Sequence, residues 1–247
     1  MPWFRGRPVA DITRREVQRW FAALHATPAA ADRSLPILSL ILRQAEIYGH
    51  RPEDSNPCAG LRRYRRRGRE RFLTASETRR LGRALAAQEP VTPLPAAVVR
   101  LLLLTGCRQS EIRTLQWQDY REGHLFLRDS KTGPRTVWLS SAARSVLSRL
   151  PRTDRWLFPA SRGAGPMRTE TLYCCWRQLR TAAGLPDVRL HDLRHSYASF
   201  ALLQGETVLT IGRLLGHCDP ATTLKYTHFA DAMVHEAVEA VGAALEG

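Results

Sequence analysis

The hydrophobic positions of the chain recur mostly at helical spacing. Val17, Trp20, Phe21 and Leu24 mark one side of a helix. Thr13, with Glu16 three positions on, gives that helix a capping box. The pattern predicts a second helix from about Ala30 to Tyr48, ended by Gly49 and by the loop signals Pro52, Asn56 and Pro57. Thr74 and Glu77 form another capping box ahead of a helix to about Ala87. Pro90, Pro93 and Pro95 punctuate the connection to a buried apolar helix, Ala96–Thr105, which ends at Gly106. Gln109–Leu115 reads as a short helix. The period changes to two over Leu125–Arg128 and Arg135–Leu139, predicting two strands joined by the hairpin signal DSKTGP. Helices return at about 141–149, 169–183, 191–203, 207–215 and 220–227. A last amphipathic helix is expected over 229–245, with Phe229, Met233, Ala237, Val238 and Val241 on one side. The expected fold class is mainly α with a small antiparallel β-sheet.

Composition narrows the class of partner. The chain has 247 residues, enough for one large domain or two small ones. Lys and Arg number 37 against 23 Asp and Glu, a formal net charge of +14. Such an excess points to a polyanion: nucleic acid first, an anionic membrane surface second. Seven arginines crowd residues 62–71, RRYRRRGRER. A charge run is commonly a solvated linker. With this global charge it also reads as a phosphate-tracking connector, with Arg62, Arg63, Arg65, Arg66, Arg67 and Arg69 as DNA contacts. The expected organisation is a helical segment over 1–60, an Arg-rich linker over 61–71 and a second domain over 72–247. Five cysteines without framework spacing fit a reducing, cytoplasmic compartment. The apolar runs fall far short of the roughly 18 residues that span a bilayer, and no charged segment followed by an apolar one opens the chain. Secreted disulfide scaffolds and membrane spans are not expected. Lys131 and Lys225 are the two lysines among 37 basic residues, which singles them out, because Lys can lose its proton near neutral pH and Arg cannot.

Five stretches carry candidate chemistry: TGCRQSEI (105–112), DSKTGPRTVWL (129–139), HDLRHSYAS (191–199), LLGH (214–217) and TLKYTHF (223–229). Each alone is weak. In order they give Arg108, Lys131, His191, Arg194, His217 and Tyr226, with H-x-x-R at 191–194, G-H at 216–217 and a tyrosine nine residues after that histidine. This set resembles the signature of the tyrosine recombinases, the phage integrase family, over essentially all of 72–235. The resemblance implies a mainly helical catalytic domain with a small sheet, preceded by a helical core-binding domain. The two would form a clamp on double-stranded DNA.

The chemistry explains the residue types. A phosphodiester broken without water needs a nucleophile that stays bonded to phosphorus; by resemblance this is Tyr226. Arg108 and Arg194 would bind the non-bridging oxygens as negative charge builds there. Lys131 would protonate the departing 5′ oxygen. His191 and His217 would donate to the phosphate and move the tyrosyl proton. Glu111 would pair with Arg108 or orient it, or else simply support its helix. No metal, nucleotide or other cofactor is required. The implied product is a 3′-phosphotyrosyl bond, and reversal by another strand's 5′-hydroxyl gives site-specific recombination.

Several positions keep competing readings. Tyr173 and Tyr197 are rival nucleophiles, Tyr197 reading as core. His195 stands at i+4 from His191, a spacing that permits a metal site with His217 or Cys218, although no second cluster completes one. His228 and Lys225 adjoin the nucleophile. Cys174 and Cys175 read as buried thiols. A truncated, non-catalytic DNA-binding remnant and a type IB topoisomerase-like relaxing enzyme are the alternative functions. The amino-terminal region looks shortened, because few residues precede Asp11. The resemblance further implies a homotetramer on two DNA sites, with the last helix packing on a neighbouring protomer or back on its own domain.

Overall fold

The computed structural model describes residues 2–64, 71–128 and 133–216, together with Val238, Val241 and Gly242. Lys131, His217, Tyr226, Arg65, Arg66, Arg67 and Arg69 lie outside the described residues, as do the helix expected over 220–227 and nearly all of that over 229–245. The chain divides into two compact units, Met1–Arg69 and Glu70–Gly247.

The first unit contains helices α1 (Arg14–Ala23) and α2 (Pro28–Ile47), preceded by two short 3₁₀ turns. Both halves of the capping box form: the Thr13 hydroxyl accepts from the Glu16 N–H, and the Glu16 carboxylate accepts from the Thr13 N–H. Val17, Trp20 and Phe21 pack with Ala31, Leu35, Leu38 and Leu42 in one apolar cluster. Tyr64 joins it. Its ring stacks on Phe21 with centroids 4.7 Å apart, its N–H donates to Asp32 and its hydroxyl donates to the Phe21 carbonyl. Both described ends of the stretch 61–71 make contacts within their own units. Leu61 and Tyr64 belong to the first core, and Arg71, at the far end, is ion-paired with Glu77 and Asp187 in the second unit. A lone aromatic among arginines carries no periodicity, so its anchoring role shows only in three dimensions.

The second unit is built around α4 (Pro93–Thr105), whose sequence is apolar almost all round and which is buried accordingly. Helices α3 (Ala75–Gln88), α5 (Gln109–Arg113), α6 (Ser141–Ser148), α7 (Thr169–Ala182) and α8 (Asp192–Leu203) all pack on it. Helix α9 (Val208–Leu215) packs on α8. The fold is thus mainly helical with one small antiparallel sheet, of order β1 (Tyr120–Arg121), β2 (His124–Leu127), β3 (Arg135–Trp138). The two-residue β1 is too short to show a period-two signal. It pairs because Glu122 and Gly123 both take positive φ, 51° and 79°, as the tight turn of a right-twisted hairpin demands. Leu125, Leu127 and Val137 face the core, while Phe126 and Trp138 face out.

Helix α7 buries the stripe Leu172, Cys175, Trp176 and Leu179. Cys174 falls off that stripe and is exposed, so only the second of the two adjacent thiols is a core residue. Tyr197 is partly buried and Tyr173 is exposed.

Candidate active site

Helix α4 stops at Gly106, whose φ of 64° is left-handed. A Cβ there would lie 2.6 Å from Tyr197 Cδ1 and 2.7 Å from Leu215 Cδ2, so only glycine lets this turn lie against α8 and α9. The close approach sets up the next contact. Arg194, in the first turn of α8 and only 3% exposed, donates from Nη1 to the Gly106 carbonyl at 2.7 Å and from Nη2 to the Leu215 carbonyl at 2.8 Å. These two bonds fix the guanidinium plane.

Arg108 follows two residues after Gly106 and caps α5. Its backbone N–H and its Nη1 both donate to the Glu111 carboxylate, each at 2.8 Å. The side chain of Glu111 is 4% exposed and that of Arg108 23%. Burial raises the Glu111 pKa. The Arg108 N–H, the charge of Arg135 and the two guanidinium hydrogen bonds outweigh it and hold the carboxyl below its ordinary range. Glu111 is therefore an anion that aims Arg108. Among the described residues, Nε and Nη2 of Arg108 have no protein partner, which leaves them available to an external anion.

His191 immediately precedes α8. Its ring meets that of His195 edge-on, centroids 5.1 Å apart and planes at 90°. Desolvation, then the charge of Arg194, lowers its pKa, with Arg189 and Arg108 acting in the same direction and Asp192 opposing. At neutral pH the ring is therefore neutral, with one nitrogen to donate and one to accept. Asp192 is fully buried and accepts from the Arg189 backbone N–H and from Arg189 Nη2, both at 2.7 Å. That clamp fixes the turn entering α8. The helix is tied down further by Ser196, whose hydroxyl accepts from the Leu73 N–H at 2.8 Å.

The tertiary structure thus brings together Arg108, Glu111, His191 and Arg194, which lie up to 86 positions apart (108 to 194) in sequence. Arg62 and Arg63 are exposed on the first unit. A residue that pattern reading passes over, Arg135 on β3, is also in the site. Its Nη2 donates to Glu111 at 2.8 Å and its Nη1 to the Leu214 carbonyl at 3.0 Å, with its side chain 11% exposed. Strand alternation places position 135 on the same face as buried Val137. An arginine on the inward face of a strand must find a buried anion, and that was its one signal in the sequence. Among the described residues, no group of three His, Cys, Asp or Glu side chains is placed to hold a metal ion.

Burial, then the charge of His191, lowers the pKa of His195 to about 4, Arg189 and Arg194 assisting and Asp192 opposing. Between the unfolded value near 6.5 and this folded value, the unfolded chain binds a proton that the fold refuses. Stability is expected to fall as pH drops through that window, by at most about 3 kcal/mol. Urea unfolding at pH 7 and pH 5 checks this: His195→Asn should show a smaller loss between the two than the wild type. An equal loss in both would place the acid sensitivity elsewhere.

The phage integrase family matches residues 71–233, a span that holds every candidate catalytic position. The tyrosine recombinase XerD of Brucella suis is 36% identical over 155 residues, covering 58% of this chain and 50% of the relative. A putative prophage phiRv2 integrase of Mycobacterium tuberculosis is 29% identical over 251 aligned residues, covering 92% of this chain and 66% of the relative. The chain spans about half the length of the recombinases it matches at higher identity. Among solved structures, a lambda integrase (75–356) dimer bound to a COC′ core site shares the fold at a TM-score of 0.73 and 23% identity, over 89% of this chain and 81% of that one. A match over well over half its length, enclosing the paired arginines and the H-x-x-R helix just described, shows that the chain belongs to the phage integrase family.

Proposed function

We propose that the protein is a site-specific DNA recombinase that cuts and rejoins double-stranded DNA through a 3′-phosphotyrosyl bond at Tyr226, without metal or cofactor. The observation that carries this reading is the fixed pair of guanidiniums. Arg194 is held by the Gly106 and Leu215 carbonyls, and Arg108 is aimed by Glu111 from two residues further on. Preorganised donors of this kind stabilise charge that develops on the two non-bridging oxygens of an attacked phosphate. Neutral His191 beside them supplies a further donor or acceptor.

In the proposed reaction the Tyr226 oxygen bonds to phosphorus as the phosphorus–O5′ bond breaks. Lys131 delivers a proton to O5′, and His191 with His217 handles the phenolic proton. The first unit serves as a core-binding domain, and Arg62, Arg63, Arg65, Arg66, Arg67 and Arg69 track the backbone between the units. Affinity then falls steeply with salt as counterions are released. The active assembly is a homotetramer on two DNA sites, in the cytoplasm.

The test uses duplexes tiled across the DNA that flanks the gene, each nicked so that the cleaved end diffuses away. The expected result is an adduct that survives detergent denaturation, mapped by mass to the tryptic peptide that begins at Tyr226. Tight binding to a duplex within that set with no adduct on any of them would overturn the catalytic reading.

A further inference from the structure

We propose that Arg135 is a positioning residue for strand cleavage, setting both arms of the phosphate clamp from one side chain on β3. The inference rests on the function proposed above. Arg135 and Arg194 straddle the same two segments of chain. Arg194 bonds the carbonyls of Gly106 and Leu215. Arg135 bonds the Leu214 carbonyl and lies 3.6 Å from the Cys107 sulfur. The two guanidiniums therefore hold neighbouring residues at the end of α4 and consecutive residues at the end of α9. Arg135 also shares the Glu111 carboxylate with Arg108, one guanidinium on each oxygen.

The end of α9 has been shaped to this side chain. Gly216 has a φ of 69°, and a Cβ there would lie 2.6 Å from Arg135 Nε and 3.1 Å from Arg135 Cζ. His217 is the next residue in the chain, and Lys131 lies four residues before Arg135. A displaced Arg135 would release Glu111 and with it the aim of Arg108. It would also remove a tie on the α9 turn against which Arg194 is held. Lysine keeps a positive charge against Glu111, but its single ammonium cannot reproduce the forked reach to a carboxylate and a carbonyl on different elements.

The experiment compares wild type, Arg135→Lys and Arg135→Met in single-turnover cleavage of the nicked duplex that the wild type cuts. Each is assayed with an ordinary scissile phosphate and with a methylphosphonate, which lacks one charged non-bridging oxygen and so depends less on the guanidiniums. DNA affinity is read by gel shift and folding by thermal melting. Arg135→Met is expected to slow cleavage of the phosphodiester about 10²-fold, the scale of a misplaced catalytic group, with DNA affinity unchanged. On the methylphosphonate its deficit should shrink to about tenfold or less. Arg135→Lys should show the same asymmetry at smaller size, and it carries the test alone if Arg135→Met does not fold. A merely structural role lowers both rates alike, because it only reduces the fraction of competent molecules. Equal deficits on the two substrates, or no deficit, overturn the role of Arg135 alone. A wild-type chain that forms no adduct overturns the function and this role together.

Discussion

Tyr226→Phe is expected to abolish the detergent-resistant adduct while leaving affinity for the same duplex intact. The substitution removes one oxygen and keeps the ring. No other change in the site is needed to stop the reaction, because the covalent step has no substitute for an atom that bonds to phosphorus. Binding persists, because affinity for a duplex comes chiefly from cationic contacts with phosphates that the substitution does not touch. Two controls sharpen the result. Tyr197 is partly buried where its ring blocks any Cβ at Gly106, and desolvation raises its pKa, which disfavours the phenolate. Tyr173 is exposed on α7, one turn before Trp176. Tyr197→Phe and Tyr173→Phe should both still trap. An adduct retained by Tyr226→Phe and lost by either of the others would reassign the nucleophile.

The second large effect concerns the carboxylate behind the clamp. Glu111→Ala is expected to destabilise the second unit by about 3–5 kcal/mol, the usual cost of removing one partner from a buried ionic cluster. Three donors lose their acceptor at once: the Arg108 N–H, the Arg108 guanidinium and the Arg135 guanidinium. The last is itself nearly buried, so its charge is left without compensation. Glu111→Gln should cost less, because an amide oxygen still accepts from the Arg108 N–H. The lowered pKa of Glu111 adds a sign. Its contribution is present above the unfolded carboxyl value and is lost as pH falls through the lower folded value. Urea unfolding at neutral pH measures the loss. A change of less than about 1 kcal/mol would show that the triad is exchanging freely with water.

Much of the fold follows from local signals. Thr13 with Glu16 and Thr74 with Glu77 cap their helices as the four-residue texts predict. Gly106 ends α4, and the strands on either side of 129–134 pair in antiparallel register. These signals are local because capping, turn geometry and side-chain period act over a few residues. Three features escape them. Strand β1 has only two residues, so its existence depends on β2 lying beside it. Tyr64 belongs to the first core although its sequence neighbours are arginines. Arg135 differs from the surface arginines only in the direction its strand turns it.

Among the described residues, most helices, two of the three strands and the helix caps could be read from the amino-acid order alone, as could the candidates for phosphoryl chemistry, because these are properties of short spans and of side-chain type. The tertiary structure alone decided how Arg108, Glu111, His191 and Arg194 meet and that Arg135 stands behind them. Their convergence depends on contacts between α4, α8 and α9 at Gly106, a left-handed turn with no room for a Cβ. Distances between segments this far apart in the chain are set by packing, in which every partner must be present before any one contact is defined.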